Sequence, residues 1–540
     1  MAPLIHGDSR LELVSGKTIF EYADALKVRV PTSCGRSGEC HECIVEVRQG
    51  IEALNAATAP EKFLRDNYRL ACQAAVADPE ADVEFAVLRR QPRILTQSIH
   101  RDVKLDPMTV RKGDYVYFGD RRIDSYRGQI YGLAIDVGTT TVVLNLVDLE
   151  SGVVVHTASF ENPQRFGGSD IMRRISYDGS DYQGELNQVM LSAINFEIGD
   201  MSRHLGFHRR RIYEIVIVGN ATMRDIFFKI DVQSIGQKPY KSLVEHEMDR
   251  GERETTALSA NASELGLRVF PQANVYSGPL IGCHVGADVA ADLLTIGMDE
   301  EEDVVMLIDV GTNTEVVVGN RHRLMAASCP AGPAFEGGEV TYGMPGYEGA
   351  VESVEIQGDG VTYTTIGGVK PDGICGSGLI DLLSELKRTG KMNELGVFDD
   401  GSAEFTFVPE RGLSLSRADI SALAQAKSAN YCGQWIALRR YGISVDEVSR
   451  LYLAGGFANY IDVGNAADIG FVASVAEEKV VKAGNAALEG ASIMLLNGGM
   501  REVIEKMAHR IEHIELETTS DFFDIFVEGC MFKPMATVFP

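Results

Sequence analysis

The chain has 540 residues, 45% hydrophobic and 24% charged, the proportions of a soluble globular protein that is too long for a single core. Its 51 Lys and Arg stand against 77 Asp and Glu, a formal charge of −26 that repels phosphate backbones and anionic lipid, so neither nucleic acid nor a membrane surface is an expected partner. The opening MAPLIHGDSRLELVSG lacks a basic segment running into an apolar one, and no later stretch is long and apolar enough to span a bilayer, which points to a cytoplasmic protein.

Residues 1–90 read as a small α+β domain. LELV, CIVEV, YRLACQ and VEFAVL have strand character, and Ile19, Tyr22, Ala23 and Leu26 recur at helical spacing. Four of the nine cysteines cluster here, Cys34, Cys40 and Cys43 in TSCGRSGECHEC and Cys72 in YRLACQ, whereas Cys283, Cys329, Cys375, Cys432 and Cys530 stand alone. Clustering points to metal and scatter to buried thiols. Thiolates in a C-x5-C-x2-C loop with a distant fourth suit an iron–sulfur cluster, and Gly35 and Gly38 let the backbone curl so that N–H groups face the sulfurs. A four-thiolate zinc site is the competing reading, but such sites usually pair two C-x2-C knuckles and one is present. His41, between two of the cysteines, lacks the second histidine a Rieske centre needs and reads as a surface residue.

From residue 89 to 128 the character changes, with ten Lys or Arg against five Asp or Glu and little periodicity, so 91–128 is expected to be a solvated linker. Beyond it the sequence repeats itself: IDVGTTTVV at 135–143 matches IDVGTNTEV at 308–316 at seven of nine positions, and each copy begins on an apolar strand and continues into two more. Two related α/β lobes are implied, over approximately 129–300 and 301–540. Helix signals lie between and after the copies, such as Ser416 with Asp419 three residues on, opening a helix through Ala429.

In each copy an Asp ends a strand and a glycine with hydroxyl-rich residues follows: Asp136, Gly138, Thr139 and Thr140, then Asp309, Gly311, Thr312 and Asn313. Such turns suit phosphate, because glycine admits the oxygens, N–H and hydroxyl groups donate to them, and the carboxylate holds hydrated magnesium or orients water. LYLAGGFANYID adds Gly455 and Gly456 at a strand-to-helix turn where adenosine can lie against backbone. Ser377, in a Gly-Ser-Gly helix start beside Cys375, is a further nucleotide candidate, with Cys375 itself read as a buried thiol. Lys427 reads as an exposed helical lysine, and Asp170 and Asp288 as capping and packing residues without chemistry.

The first 90 residues resemble the plant-type 2Fe–2S ferredoxin fold, a β-grasp domain, with one more residue between the first two cysteines than the usual plant-type spacing. The paired phosphate turns followed by paired glycines resemble the actin, sugar-kinase and heat-shock-chaperone (ASKHA) ATPases, with ribonuclease H-like duplicated lobes. ENPQRFGGSDIMRRI, VIVGNATM, GCHVGADVAADLL, CPAGPAFEGGEV, DGICGSGLIDLL and GNAALEGA are similar to segments of the reductive activators of corrinoid-dependent enzymes.

The resemblance implies a 2Fe–2S cluster on Cys34, Cys40, Cys43 and Cys72, ATP and Mg2+ as cofactors, and Asp136 and Asp309 as catalytic groups. It implies an ATP-hydrolysing enzyme that returns one electron to a corrinoid protein of a methyltransferase system, converting Co(II) to Co(I). An upstream low-potential electron donor and a homodimer are further expectations of the resemblance. The alternative is an iron–sulfur carrier or binding module whose lobes bind nucleotide for regulation and do not hydrolyse it; a sugar-kinase-like phosphotransferase leaves the cysteines unexplained.

Overall fold

Alternating apolar residues shape the N-terminal sheet of the computed structural model, which describes residues 2–7, 9–32, 34–88, 98–358, 360–456 and 458–537. Its strands are β1 (Pro3–His6), β2 (Ser9–Glu12), β3 (Ile44–Gln49), β4 (Tyr68–Leu70) and β5 (Val83–Val87), in the order β2-β1-β5-β3-β4. Strands β1 and β5 run parallel in the middle and the remaining pairs are antiparallel, the β-grasp arrangement. One short helix, Ile19–Ala25, closes over the sheet. Thr18 and Glu21 form its capping box, satisfying orphan N–H groups at the first turn, and Ile19, Phe20, Tyr22 and Ala23 face the core.

The segment expected to be a linker is more structured than a tether. Residues 91–97 lie outside the described residues, but β6 (Thr109–Lys112), β7 (Tyr115–Phe118) and β8 (Arg121–Ser125) form an antiparallel three-stranded sheet. Its charge misled the reading, because the basic side chains have partners: Arg122 lies over the Tyr115 ring at 3.4 Å, Arg111 over Tyr126 at 3.8 Å, and Arg101 pairs with Asp299 at 2.6 Å. Val116 is fully buried, and the Tyr213 hydroxyl donates to Asp124 at 3.0 Å.

Two six-stranded sheets follow. The first comprises β9 (Tyr131–Val137), β10 (Thr141–Asp148), β11 (Val154–Glu161), β12 (Ile212–Val218), β13 (Leu258–Asn261) and β14 (Asn274–Ser277), in the order β11-β10-β9-β12-β14-β13. The second repeats its plan with β15 (Val305–Val310), β16 (Thr314–Asn320) and β17 (Arg323–Cys329). The strands β18 (Ala350–Gln357), β19 (Gly360–Thr365) and β20 (Gly373–Ile374) then form a small sheet, and β21 (Glu404–Val408) and β22 (Leu413–Ser416) a hairpin. The main sheet resumes with β23 (Arg450–Ala454), β24 (Val480–Gly484) and β25 (Ile511–His513), in the order β24-β23-β15-β16-β17-β25. In both sheets three antiparallel strands are joined to parallel strands beside the first, the duplicated ribonuclease H-like plan.

A common apolar layer lies between the sheets, with Ala134, Val216, Leu307 and Tyr452 packed around the helices Ala287–Thr295 and Ala486–Leu496. The C-terminal of these helices packs on β9, β10 and β12, so the division at residue 300 does not describe the lobes in space: the chain returns to the first lobe near its end. Helix Arg417–Tyr441 opens on the Ser416–Asp419 capping box and runs twelve residues past Ala429, ending at Gly442 with φ 92°. Lys427 on this helix is fully buried rather than exposed, its ammonium donating to the Met531 carbonyl at 2.8 Å away from the nucleotide-type turns. Among the described residues no helix is long and apolar enough to cross a membrane.

The two central helices touch through Gly490, where an added Cβ would stand 2.1 Å from the Ala291 carbonyl oxygen. Gly490→Val therefore forces the helices apart, and a loss of about 1–3 kcal/mol is expected in urea denaturation; an unchanged midpoint would contradict this packing.

Candidate functional site: a two-hairpin cleft and a four-thiol loop

The β9–β10 and β15–β16 hairpins point into one cavity of about 500 Å³ between the lobes. Asp136 and Asp309 come from the ends of β9 and β15, and Gly138, Thr139, Thr140, Gly311, Thr312 and Asn313 line the cavity beside them. Gly455, Gly456 and Ser377 line it from the second lobe. Gly455 follows β23 with φ +102°, and a Cβ there would lie 2.2 Å from the Val310 carbonyl, so glycine is required for the turn to approach the second hairpin. Ser377 faces the same space while its hydroxyl donates to the Glu352 carbonyl at 2.9 Å. Cys375 is buried beside it, with its thiol donating to the Val351 carbonyl.

The first hairpin is held from outside by residues the sequence reading left without roles. Asn162 donates to the Gly138 carbonyl from its side chain at 2.8 Å and to the Thr140 carbonyl from its backbone at 2.7 Å. Arg174, fully buried, donates to the Thr139 carbonyl at 2.6 Å, to Gln164 at 3.1 Å and to the Gly168 carbonyl at 3.0 Å. Asn220 caps the helix Ala221–Phe227 and donates to the Thr139 hydroxyl at 3.2 Å. Asn485 caps Ala486–Leu496 and donates to the Asp136 carboxylate at 2.8 Å, fixing its orientation. Glu336 accepts from Thr140 at 3.1 Å and Thr312 at 2.5 Å, one from each hairpin. With the hairpin carbonyls engaged outside, N–H and hydroxyl groups are left to face an anion in the cleft.

Asp170 is the helix cap expected of it, accepting from the Arg173 N–H at 2.9 Å. Asp288 is more than a packing residue: it lines the cavity with Asp292 in the first turns of Ala287–Thr295, facing Asp136 and Asp309. Glu315 joins the same cavity from β16. Carboxylates four residues apart on one helix share a face, which is the signal that GADVAADLL carried and a reading confined to the repeats missed. Burial pushes Asp136 up to about 7 against the opposing Asn485 hydrogen bond, with the Asp288 charge adding to the rise. Burial, then the charges of Asp288 and Asp136, lifts Asp309 to about 7; burial lifts Asp288 to about 6. Asp292 and Glu315 are pushed well above their usual range, first by burial and then by neighbouring carboxylates.

In the N-terminal domain the four cysteines come as two pairs. Cys43 and Cys72 have their sulfurs 3.4 Å apart, and Cys40 donates to the Cys34 sulfur from both backbone and thiol. Burial opposes ionisation of Cys34, but Ser37, Cys40 and the Gly38 N–H together bring its thiol down to about 5. Gly35 and Gly38 take φ +66° and +88°, giving the loop its curl. Two pairs suit a binuclear cluster in which each iron takes two thiolates. None of the nine cysteines is in a disulfide.

His41 is half-buried in a domain contact rather than free at the surface. Its ring stacks on Phe63 at 4.1 Å and its Nδ1 lies 2.8 Å from Glu185 of the first lobe. Phe63 meets Phe166 edge-on at 5.4 Å, the Tyr177 hydroxyl donates to the Phe63 carbonyl at 2.5 Å, and Arg65 covers the Tyr177 ring at 4.6 Å. The stretch 161–177 thus touches the first phosphate-type hairpin through Asn162 and Arg174 and the thiol-bearing domain through Phe166 and Tyr177.

The raised carboxylates make the stability of the cleft depend on pH. From the unfolded carboxylate value, about 3.9, up to the folded values of about 6 to 7, the native state binds more protons than the unfolded chain. These groups therefore favour folding at the acid end and lose that contribution as pH rises through their folded values. The urea midpoint of the nucleotide-free protein is expected to fall between about pH 5.5 and about pH 8, and to fall less in Asp309→Asn; an equal fall in both would contradict the assignment.

Family models match along almost the whole chain: the 2Fe–2S iron–sulfur cluster binding domain at residues 5–77, the RACo middle region at 131–301, and the C-terminal domain of RACo, the ASKHA domain, at 303–540. A corrinoid activation enzyme, RamQ, of Eubacterium limosum is 29% identical over 92% of this chain and 93% of its own length. The [Co(II) methylated amine-specific corrinoid protein] reductase of Methanosarcina barkeri is 22% identical over 74% of this chain and 76% of its own. A solved reductive activator for a corrinoid, iron–sulfur protein superposes with a TM-score of 0.71 at 27% identity, covering 99% of both chains. With a β-grasp 2Fe–2S domain, a duplicated nucleotide-binding fold and these relatives, the chain belongs to the family of reductive activators of corrinoid proteins.

Proposed function

We propose that this chain uses ATP bound between its two hairpins to drive the one-electron reduction of a corrinoid protein from Co(II) to Co(I), restoring the form that accepts a methyl group. The observation that carries this reading is the stretch 161–177, which grips the first hairpin through Asn162 and Arg174 and the cysteine-bearing domain through Phe166 and Tyr177. A sugar-kinase-like phosphotransferase needs no such connection to the domain that holds the electron.

Cys34, Cys40, Cys43 and Cys72 are the proposed ligands of a 2Fe–2S cluster, which when bound supplies a one-electron carrier. Plant-type centres lie near about −400 mV, and each 59 mV is about a tenfold change in equilibrium for one electron. A more negative cobalt couple therefore keeps the electron off the corrinoid unless the equilibrium is shifted. Nucleotide-dependent differences in affinity for the Co(II) and Co(I) forms of the partner would supply that shift.

In the cleft, Thr139, Thr140, Thr312 and Asn313 would donate to phosphate oxygens, with Gly138 and Gly311 admitting them. Gly455, Gly456 and Ser377 would border the nucleoside. Asp136 and Asp309 would hold hydrated Mg2+ and orient the attacking water, while Asp288 and Asp292 add negative charge that the ion relieves. With one or two carboxylates as direct ligands the ion would keep most of its water shell, as Mg2+ prefers. The reading also places the protein in the cytoplasm, served by a low-potential electron donor and acting as a homodimer.

Under a chemical reductant, Co(I) formation on a corrinoid protein is expected to require ATP, and Asp309→Asn is expected to slow the ATP-dependent rate by about 100-fold or more while leaving the visible spectrum of the protein unchanged. Equal Co(I) formation with and without ATP would overturn the proposal. Independently, Cys72→Ser is expected to lose the 2Fe–2S absorption and bound iron after anaerobic purification, with Cys530→Ser retaining both; full iron content in Cys72→Ser would remove Cys72 from the ligand set.

A further inference from the structure

Glu336 sits where two anions would compete for the same donors. Its carboxylate oxygen accepts from Thr140 of the first hairpin and Thr312 of the second, and those two hydroxyls are themselves 3.5 Å apart. It is held at the end of a short helical turn, Ala334–Glu336, and lines the cavity. A threonine hydroxyl has one hydrogen to donate. While both hydrogens serve Glu336, neither serves a phosphate oxygen, and a second anion arriving at the same point meets the carboxylate's charge. Burial, the largest influence, raises the Glu336 carboxyl above its usual range, and the two hydroxyls and the nearby Arg174 and Arg165 work against that rise.

We propose that Glu336 is a displaceable internal anion: in the nucleotide-free protein its carboxylate ties the two hairpins together in the place of the terminal phosphate of ATP, and ATP evicts it. The inference rests on the reading of this cavity as the nucleotide site and adds to it a way of telling a triphosphate from a diphosphate. ADP has no terminal phosphate to take the two hydroxyls, so it leaves the Glu336 bridge intact. ATP breaks it, and the turn that carries Glu336 must move.

The surrounding backbone allows that movement. Gly332 precedes the turn with φ +77° and open space around it, whereas Gly337 at its end, φ +89°, is packed on the Met344 backbone, so movement pivots at Gly332. The movement also has somewhere to go. Tyr347, on the same stretch of chain, lies close enough to Glu161 for that carboxylate, after burial, to push its hydroxyl up, and Glu161 pairs with Arg165. Both belong to the stretch 161–177 that holds the cysteine-bearing domain. The Glu336 turn therefore neighbours, through Tyr347, the stretch that meets Phe63.

The test is nucleotide affinity of the full-length protein, measured by calorimetry for Mg2+–ATP and Mg2+–ADP in wild type, Glu336→Ala and Glu336→Gln. Removing an internal competitor is expected to tighten ATP by about tenfold or more in Glu336→Ala and to leave ADP within about twofold. Glu336→Gln preserves the shape without the charge and is expected to tighten ATP in the same sense by a smaller factor. ATP and ADP weakening together would make Glu336 a structural or binding residue, and equal affinities in all three proteins would show that it competes with nothing; either result overturns the inference while the nucleotide site stands. A wild-type protein that binds no ATP overturns the reading of the cavity itself.

Discussion

A hairpin that grips a multiply charged phosphate has to present its donors inward without collapsing onto them. In this protein the constraint is met from behind: three consecutive carbonyls of the first hairpin, at Gly138, Thr139 and Thr140, accept from Asn162 and Arg174. Each such bond removes an acceptor that would otherwise turn into the cleft or seek water. Arg174 is buried with its guanidinium spent on carbonyls and one amide, so its charge adds positive potential behind the hairpin without filling it. The rest of the molecule is arranged around this fixed edge.

The cleft beyond it gathers acidic groups. Asp136, Asp288, Asp292, Asp309 and Glu315 face one cavity; burial raises the pKa of each, and neighbouring carboxylates add to the rise in all but Asp288. Carboxylates kept together at such a cost are characteristic of functional sites rather than of cores. Glu336 extends the same logic to the phosphate position, because an anion already seated between two hydroxyls makes the nucleotide-free cleft specific about what replaces it.

The thiol pairs and the cleft meet through packed aromatic rings, Phe63 against Phe166 and His41, with Tyr177 bonded to the Phe63 backbone. Rings packed edge-to-face resist small displacement and transmit larger ones, because close-packed interiors have few voids to absorb movement. The stretch 161–177 is thus the packed connection between the hairpin and the β-grasp domain. That domain's core is continuous with the core of the first lobe rather than separated from it by water.

Local pattern was enough for much of this protein. The duplicated IDVGT turns, the cysteine spacing and the Ser416–Asp419 cap are short-range signals, since strands, turns and caps are decided by neighbours within a few residues. Seven of nine matched positions between 135–143 and 308–316 were enough to read two lobes, and both sheets follow that plan. Three-dimensional packing decided the remainder. Nothing near Lys427 in sequence announces that the Met531 carbonyl will solvate it in the core, and nothing near His41 announces Phe63 and Glu185. The basic stretch at 98–128 looked solvated because charge was counted without its aromatic and acidic partners. Asp288, Asp292, Glu315 and Glu336 acquire their chemistry only when a helix, a strand and a turn distant in sequence converge on one cavity, because a pKa shift depends on burial and on charges brought near through space.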